Sequence, residues 1–344
     1  MADADGNLVS STLREYGDAT RSILFDYLPS AEPRRYLYDL VADYPRRGGR
    51  ALRPSLCIAT ARAFGTELEG ALRTAVSIEL IHNAMLIHDD IEDESEQRRG
   101  RPTLHASEGV PIAINAGDML SVLAMRPLLD NRYMLGPDLS LRILEETERM
   151  ARESAEGQAL ELGWRRDNAI DVGEADYLLM VLKKTCWLAT IHPSRMGTLI
   201  GSNGSIDLDR CVKFGFFLGA AFQIQDDLLN LEGDAGAYGK ELGGDIREGK
   251  RTLMLIDLFA KATEAERARL RMILSVPRET RTDGDVEWVL ERMDAYGCIS
   301  YARQVAQALA GAAQYEFQML YGGLPDSRDK RFLEALPVWV IERN

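Results

Sequence analysis

Three observations predict an all-α fold for this 344-residue chain. Apolar residues recur at three- and four-residue intervals through long stretches, which is the spacing of one buried helix face. Alternating runs bounded by turn residues, the mark of strands, are nearly missing, and the Gly- and Pro-rich breakers fall between the periodic stretches.

Taken in order, the first periodic stretch is RSILFDYLPSAEPRRYLYDLV (21–41), ended by the breaker YPRRGGR (44–50). Next comes LRTAVSIELIHNAMLIHDDI (72–91), followed by RRGRP (98–102), and then LSLRILEETERMARESAEGQALEL (139–162). After SNGS (202–205) the run FGFFLGAAFQIQ (214–225) is apolar all round, too short to span a membrane, and stopped by Asp226 and Asp227, so it is expected to be a buried core helix. GDAGAYGKELGG (233–244) breaks the pattern again, and YARQVAQALAGAAQYEFQML (301–320) resumes it. No Ser- or Pro-rich linker, composition shift or 20- to 50-residue repeat divides the chain. One large helical domain over 20–344 is expected, after a flexible segment at 1–19.

A net charge of −13, from 54 acids and 41 bases, argues against nonspecific nucleic-acid binding, which needs basic surfaces. The four cysteines show no close pairing, and MADADGNLVSS lacks the basic-apolar-small pattern of a signal. A cytoplasmic protein without stable membrane insertion is the expectation.

The chemistry concentrates where two apolar helices run into paired aspartates, LIHDDIED (86–93) and FQIQDDLLN (222–230). Asp89 and Asp93 lie one turn apart on a helix, about 6 Å along its axis, with Asp90 rotated to the side. Oxygen ligands without HExxH or CxxC patterns favour Mg2+, which keeps waters and shares its shell with substrate phosphates. Either cluster alone reads more simply as a solvated acidic face. Two of them, each ending an apolar run, change that balance, because ions facing a core need partners or a metal. Cations suited to phosphate stand nearby: Arg98, Arg99, Lys183, Lys184, Lys240, Lys250 and Arg251. The acids would hold Mg2+, the Mg2+ a diphosphate, and the basic residues its remaining charge. GDIREGKRT (244–252) is no P-loop, since Arg251 replaces the hydroxyl residue and no strand precedes it; DADGN (3–7) lacks the spacing of a calcium loop.

With GGRALRP (48–54), LIHDDIED, RRGRPTLH (98–105), EGQALEL (156–162), KKT (183–185), FQIQDDLLN and GKELGGDIREGKRT (239–252) in that order, the sequence resembles the trans-isoprenyl diphosphate synthases, the polyprenyl synthetase family. The resemblance runs from about residue 20 to the end. It implies an all-helical fold around a deep cavity, a homodimer, and up to three Mg2+ ions. It also implies head-to-tail condensation, in which an allylic diphosphate ionises, isopentenyl diphosphate attacks C1, and a proton leaves. By position, Asp89, Asp90, Asp93, Asp226 and Asp227 would be metal ligands, and Arg98, Lys184 and Lys240 would hold the allylic diphosphate. Gly49, Arg50, Arg53, His82 and Arg99 resemble the isopentenyl diphosphate site. Thr185 and Gln223 resemble the residues flanking the developing cation. The chain departs from the family at Arg50, where lysine is usual, and at Asn230, where a third aspartate is usual.

The resemblance places the growing tail along the helix before Asp89, against Met85, Ala84 and Ile81. The lack of aromatic rings there suggests a C20 product, geranylgeranyl diphosphate, with C15 or C25 and longer as alternatives. A class I terpene cyclase would have no use for GGRALRP and Arg99. A noncatalytic subunit of a heteromeric synthase, the other rival, would be expected to lose one acidic cluster.

Overall fold

The structure is a computed structural model and describes residues 2–232 and 243–343. Helices of two turns or more are numbered in chain order: α1 Ala2–Leu24, α2 Leu52–Ala63, α3 Leu68–Glu92, α4 Val110–Leu123, α5 Pro137–Arg166 and α6 Glu174–Val181. They continue as α7 His192–Gly201, α8 Arg210–Glu232, α9 Leu253–Lys261, α10 Glu264–Ser275, α11 Asp283–Ala295, α12 Cys298–Tyr321 and α13 Arg328–Glu342. The all-α expectation holds. Among the described residues the only strands are the two-residue pair Gln97–Arg98 and Arg101–Pro102.

Two helices carry both acidic clusters, and both are buried on most sides. α3 packs on α4 and α2, whereas α8 packs on α12 and on a wide π-helical segment, Leu182–Ile191, that joins α6 to α7. Buried residues of α3 point in every direction around its axis, from Ala75, Val76 and Ile78 to Ala84 and Ile87. α8 does the same with Phe214, Leu218, Ala220, Ala221 and Ile224. A helix apolar all round belongs in the middle of a bundle. The expected core helix at 214–225 is therefore the inner part of α8.

The π segment carries Lys184 and Thr185, and three glycines let its backbone be clamped. A Cβ on Gly157 of α5 would overlap the Lys184 backbone nitrogen, and one on Gly215 of α8 would stand 2.7 Å from the Ile191 Cα. One on Gly219 would meet Cys186 Sγ at 2.8 Å. Thr190 adds a hydrogen bond from its hydroxyl to the Gly215 carbonyl, 2.6 Å. Wide helical turns of this kind are rare and collect at functional sites.

Segment 1–19, expected to be flexible, lies almost wholly within α1. Val9, Leu13 and Tyr16 share one helix face and are buried, and the Tyr16 hydroxyl donates to Asp329 in the first turn of α13. Arg62 reaches the other Asp329 oxygen at 3.2 Å. The apolar spacing was present in LVSSTLREY (8–16), but the acidic opening masked it.

Val110–Leu135, α4 with the short helices after it, is long and apolar enough to cross a membrane by length and composition. In the fold its small residues Ala113, Ala116 and Gly117 pack inward, while Ile114, Val122, Leu129 and Tyr133 lie on the surface. Gly157→Ala is expected to destabilise the fold by about 1–3 kcal/mol because the new methyl must push the Lys184 backbone. Gly163→Ala, on the same helix with open space around its Cα, should instead stabilise by about 0.5–1 kcal/mol. Urea unfolding of the two variants checks the pair.

Candidate active site

The helical period sets one stripe of α3, Met85, His88, Asp89 and Glu92, on a cavity of 370 Å³, with Asp93 just past the helix end. Facing it across the cavity is a stripe of α8: Phe222, Gln223, Asp226 and Asp227. Tyr177 and Met180 of α6 and Lys184, Thr185 and Leu188 of the π segment close a third side, and Arg98 and Lys250 also reach the wall. The two acidic clusters thus oppose one another across one space.

Their aspartates are not equivalent. Asp90 is fully buried, accepts from the Tyr44 hydroxyl at 2.5 Å and from Arg98 Nε at 2.9 Å, and does not line the cavity. Asp93 accepts from Arg165 Nη1 at 2.6 Å and from Lys250 Nζ at 3.0 Å. Burial alone would push the Asp93 carboxyl up, but Lys250, Lys184 and Arg165 together hold it below the usual range. Burial pushes the Asp89 carboxyl up, and although Lys184 opposes this, Asp93 and Glu161 add to it. Asp89 is a carboxylate in want of positive charge. Lys184 is committed to Glu161 at 2.7 Å, and Lys250 also to Glu248 at 2.6 Å.

On α8, Asp227 is buried with one oxygen 3.0 Å from the Tyr177 hydroxyl and the other 2.7 Å from Gln223 Nε2. Burial, then the Asp245 charge, pushes its carboxyl well up. Asp226 is half-buried and paired with Arg343 at 2.5 Å. Asn230, where the family usually has a third aspartate, turns its oxygen to the Asp245 backbone N–H at 3.1 Å. That amide oxygen anchors the start of the short helix Gly244–Glu248.

A second cavity of 390 Å³ shares Arg53 and Phe222 with the first. Gly49, Arg50, His82 and Arg99 line it, as do Arg47, Glu79 and Trp339. The turn between the two strands explains how adjacent arginines serve different cavities. Arg99 and Gly100 both have positive φ, 55° and 70°, the pattern of a type I′ hairpin, and this turns Arg98 to Asp90 and Arg99 to the second space. A Cβ on Gly49 would come 2.6 Å from Arg99 Nη2, so a larger residue there would push that guanidinium aside. Burial lowers Arg53 to about 10 and His82 to about 4, so His82 is neutral near pH 7. Arg53 Nε is buried without a hydrogen-bond partner among the described residues, which suits an anionic ligand, and His82 Nδ1 lies 3.7 Å from Glu79 Oε2.

Of the residues singled out in the sequence, Asp89, Asp93, Arg98, Lys184, Thr185, Gln223, Asp226, Asp227 and Met85 line the first cavity, and Gly49, Arg50, Arg53, His82 and Arg99 the second. Ile81 and Ala84 are buried in the core and line neither. Lys240 lies outside the described residues. Arg165, Glu161, Tyr177 and Arg343 went unnoticed in the sequence, since each matters only through a partner distant in the chain. Lys250 was noted only as a nearby cation. No three acidic, His or Cys side chains among the described residues converge tightly enough to hold a metal alone. This donor set fits Mg2+, which takes one or two carboxylates and completes its shell with water and phosphate oxygens.

The chain matches the Polyprenyl synthetase family model over residues 34–293. It is 31% identical to a geranylgeranyl pyrophosphate synthase of Geoglobus acetivorans, covering 98% of this chain and 100% of that one. It is 32% identical to an octaprenyl diphosphate synthase of Escherichia coli, covering 86% and 87%. A solved geranylgeranyl pyrophosphate synthase from Corynebacterium glutamicum, complexed with isoprenyl diphosphate and magnesium, superposes with a TM-score of 0.80 at 28% identity, over 100% of both chains.

The unequal surroundings of Asp89 and Asp93 have a measurable consequence. Without metal or diphosphate, Asp93→Asn removes the partner of two cations and is expected to lower unfolding free energy by about 2–4 kcal/mol. Asp89→Asn should leave stability unchanged or raise it, because it relieves a carboxylate that burial disfavours. Denaturant titration at pH 7 compares them, and equal losses would contradict the assignment of partners.

Proposed function

The chain belongs to the polyprenyl synthetase family and is a prenyltransferase that makes isoprenyl diphosphates, and from that premise we propose that its product is C20 geranylgeranyl diphosphate. The single observation that carries the two-substrate reading is the pair of cavities with a common wall at Arg53 and Phe222. The first, lined by opposed acids and by Lys184 and Lys250, suits an allylic diphosphate. The second, with its four arginines and no facing aspartate pair, suits isopentenyl diphosphate.

Divalent metal is the family's cofactor, and we assign it as three Mg2+ ions held by Asp89 and Asp93 on one side and Asp226 on the other. When bound, the ions would neutralise charge on the departing diphosphate. The residues do the rest. Arg98, Lys184, Lys250 and Lys240 hold the allylic diphosphate, and the C1–O bond breaks with its electron pair going to that leaving group. Arg50, Arg53 and Arg99 hold the second diphosphate so that the isopentenyl double bond faces C1. The new C–C bond forms there, and the C2 proton passes to the released diphosphate. Met180, Leu188 and Phe222 keep the cation among apolar groups, away from water. Asp90 supports the site from behind by fixing Arg98.

Met85, one turn before Asp89 on the cavity stripe, is the residue placed to meet the growing tail. Its flexible thioether leaves more room than a ring would. A homodimer is supported by the apolar surface of Ile114, Val122, Leu129 and Tyr133, which a second copy would cover. Four buried, unpaired cysteines suit the reducing cytoplasm.

Purified protein incubated with Mg2+, isopentenyl diphosphate and each of dimethylallyl, geranyl and farnesyl diphosphate should give a ladder ending at C20 by mass analysis. Met85→Phe should move its end to C15 while total turnover stays within about tenfold. Hydrocarbon or alcohol without elongation would identify a cyclase and overturn the reading. A C20 end in both proteins would remove Met85 as the floor.

A further inference from the structure

Tyr177, a buried polar group of the first cavity, has no task in the mechanism. Tyr177 of α6 is 1% exposed, and its hydroxyl is 3.0 Å from Asp227 Oδ2. The other oxygen of the same carboxylate accepts from Gln223 Nε2 at 2.7 Å, and Gln223 Oε1 in turn accepts from the Thr185 hydroxyl at 2.8 Å. Four side chains from α6, α8 and the π segment thus form one hydrogen-bonded chain along the cavity wall.

We propose that Tyr177 is a positioning residue that, through Asp227, fixes the orientation of the Gln223 amide and so aims the oxygens of Gln223 and Thr185 at the carbon that becomes cationic. The inference rests on the synthase reading above. Its physical content is direction. With the Tyr177 hydroxyl on Oδ2, Asp227 Oδ1 accepts from the Gln223 NH2, and the Gln223 carbonyl is the end that faces the Thr185 hydroxyl. Thr185 then uses its single hydrogen on that carbonyl and keeps its lone pairs for the cavity. Turned the other way, the amide would offer N–H groups to a developing positive charge. Gln223 alone grips one oxygen of Asp227 and leaves the carboxylate free to rotate. A second donor on the other oxygen stops that rotation, and Tyr177 is that donor. The tyrosine ring could also serve only as core packing, in which case its hydroxyl would have no kinetic effect.

Tyr177→Phe keeps the ring and removes only the donor. Steady-state kinetics and product analysis should show kcat reduced about tenfold, the loss expected for one hydrogen bond within the site. KM for both diphosphates and the Mg2+ requirement should stay within about twofold. A larger share of the allylic diphosphate should end as alcohol: water oxygen bonds to C1, the diphosphate leaves with the C–O electron pair, and the water's proton passes to it. In a Gln223→Ala background the same substitution should have no further effect, because the group it positions is gone. A silent Tyr177→Phe, an equal loss in both backgrounds, or a kcat loss matched by a lower Tm would each overturn the proposal. Wild-type protein assayed alongside separates the two readings. If it elongates and the variant is silent, only the role of Tyr177 falls; if it does not elongate, the synthase reading falls and takes this one with it.

Discussion

Carboxylates cannot be gathered around a sheltered cavity unless positive charge is built in beside them, and that constraint organises this molecule. Among the described residues Asp90 has Arg98 and Tyr44, Asp93 has Arg165 and Lys250, Glu161 has Lys184 and Asp226 has Arg343, while Asp227 has two neutral donors, Tyr177 and Gln223. Removing one member of such a pair leaves a buried charge unmatched, which is worse than never having had the pair. The partners come from α5, α6, the π segment, the 243–250 region and the end of the chain. The site therefore ties together elements far apart in sequence.

The same constraint leaves the site ready for ligand. Burial and the neighbouring acids leave Asp89 short of positive charge, and it lines the same cavity as Asp226. Arg53 holds the complementary deficit in the second cavity, with a buried Nε that lacks an acceptor among the described residues. Divalent metal, the family's cofactor, would be held in the first space, and an anionic diphosphate would suit the second. Glycines decide how close the parts can come: Gly157, Gly215 and Gly219 around the π segment, and Gly49 beneath Arg99.

Much of this was legible in the sequence. The 3.6-residue period identified the class and both acid-bearing helices, and the resemblance grouped side chains that now line two adjoining cavities. The misses have physical causes. Periodicity indicates that Asp90 is rotated from Asp89 and Asp93, but not that Tyr44 and Arg98 wait for it in the core. Ala84 shares the helix of Met85 yet packs into the core, because the face turned to the cavity depends on the phase at which α3 meets α2 and α4. Arg165 and Arg343 look like ordinary surface charges until folding brings them to Asp93 and Asp226. Helix α1 was hidden by its acidic first residues, although Val9, Leu13 and Tyr16 already had helical spacing.

The central proposal is that Asp89 and Asp93 on one side and Asp226 on the other would hold divalent metal that neutralises the charge of one diphosphate between them. It is tested most directly by anomalous diffraction from crystals grown with Mn2+ and an unreactive thiolo analogue of an allylic diphosphate. The account predicts metal peaks between Asp89, Asp93 and the diphosphate and between Asp226 and the diphosphate, with Arg165 and Lys250 no longer both on Asp93. A diphosphate bound with no metal between it and either cluster, or metal held away from both, would contradict it.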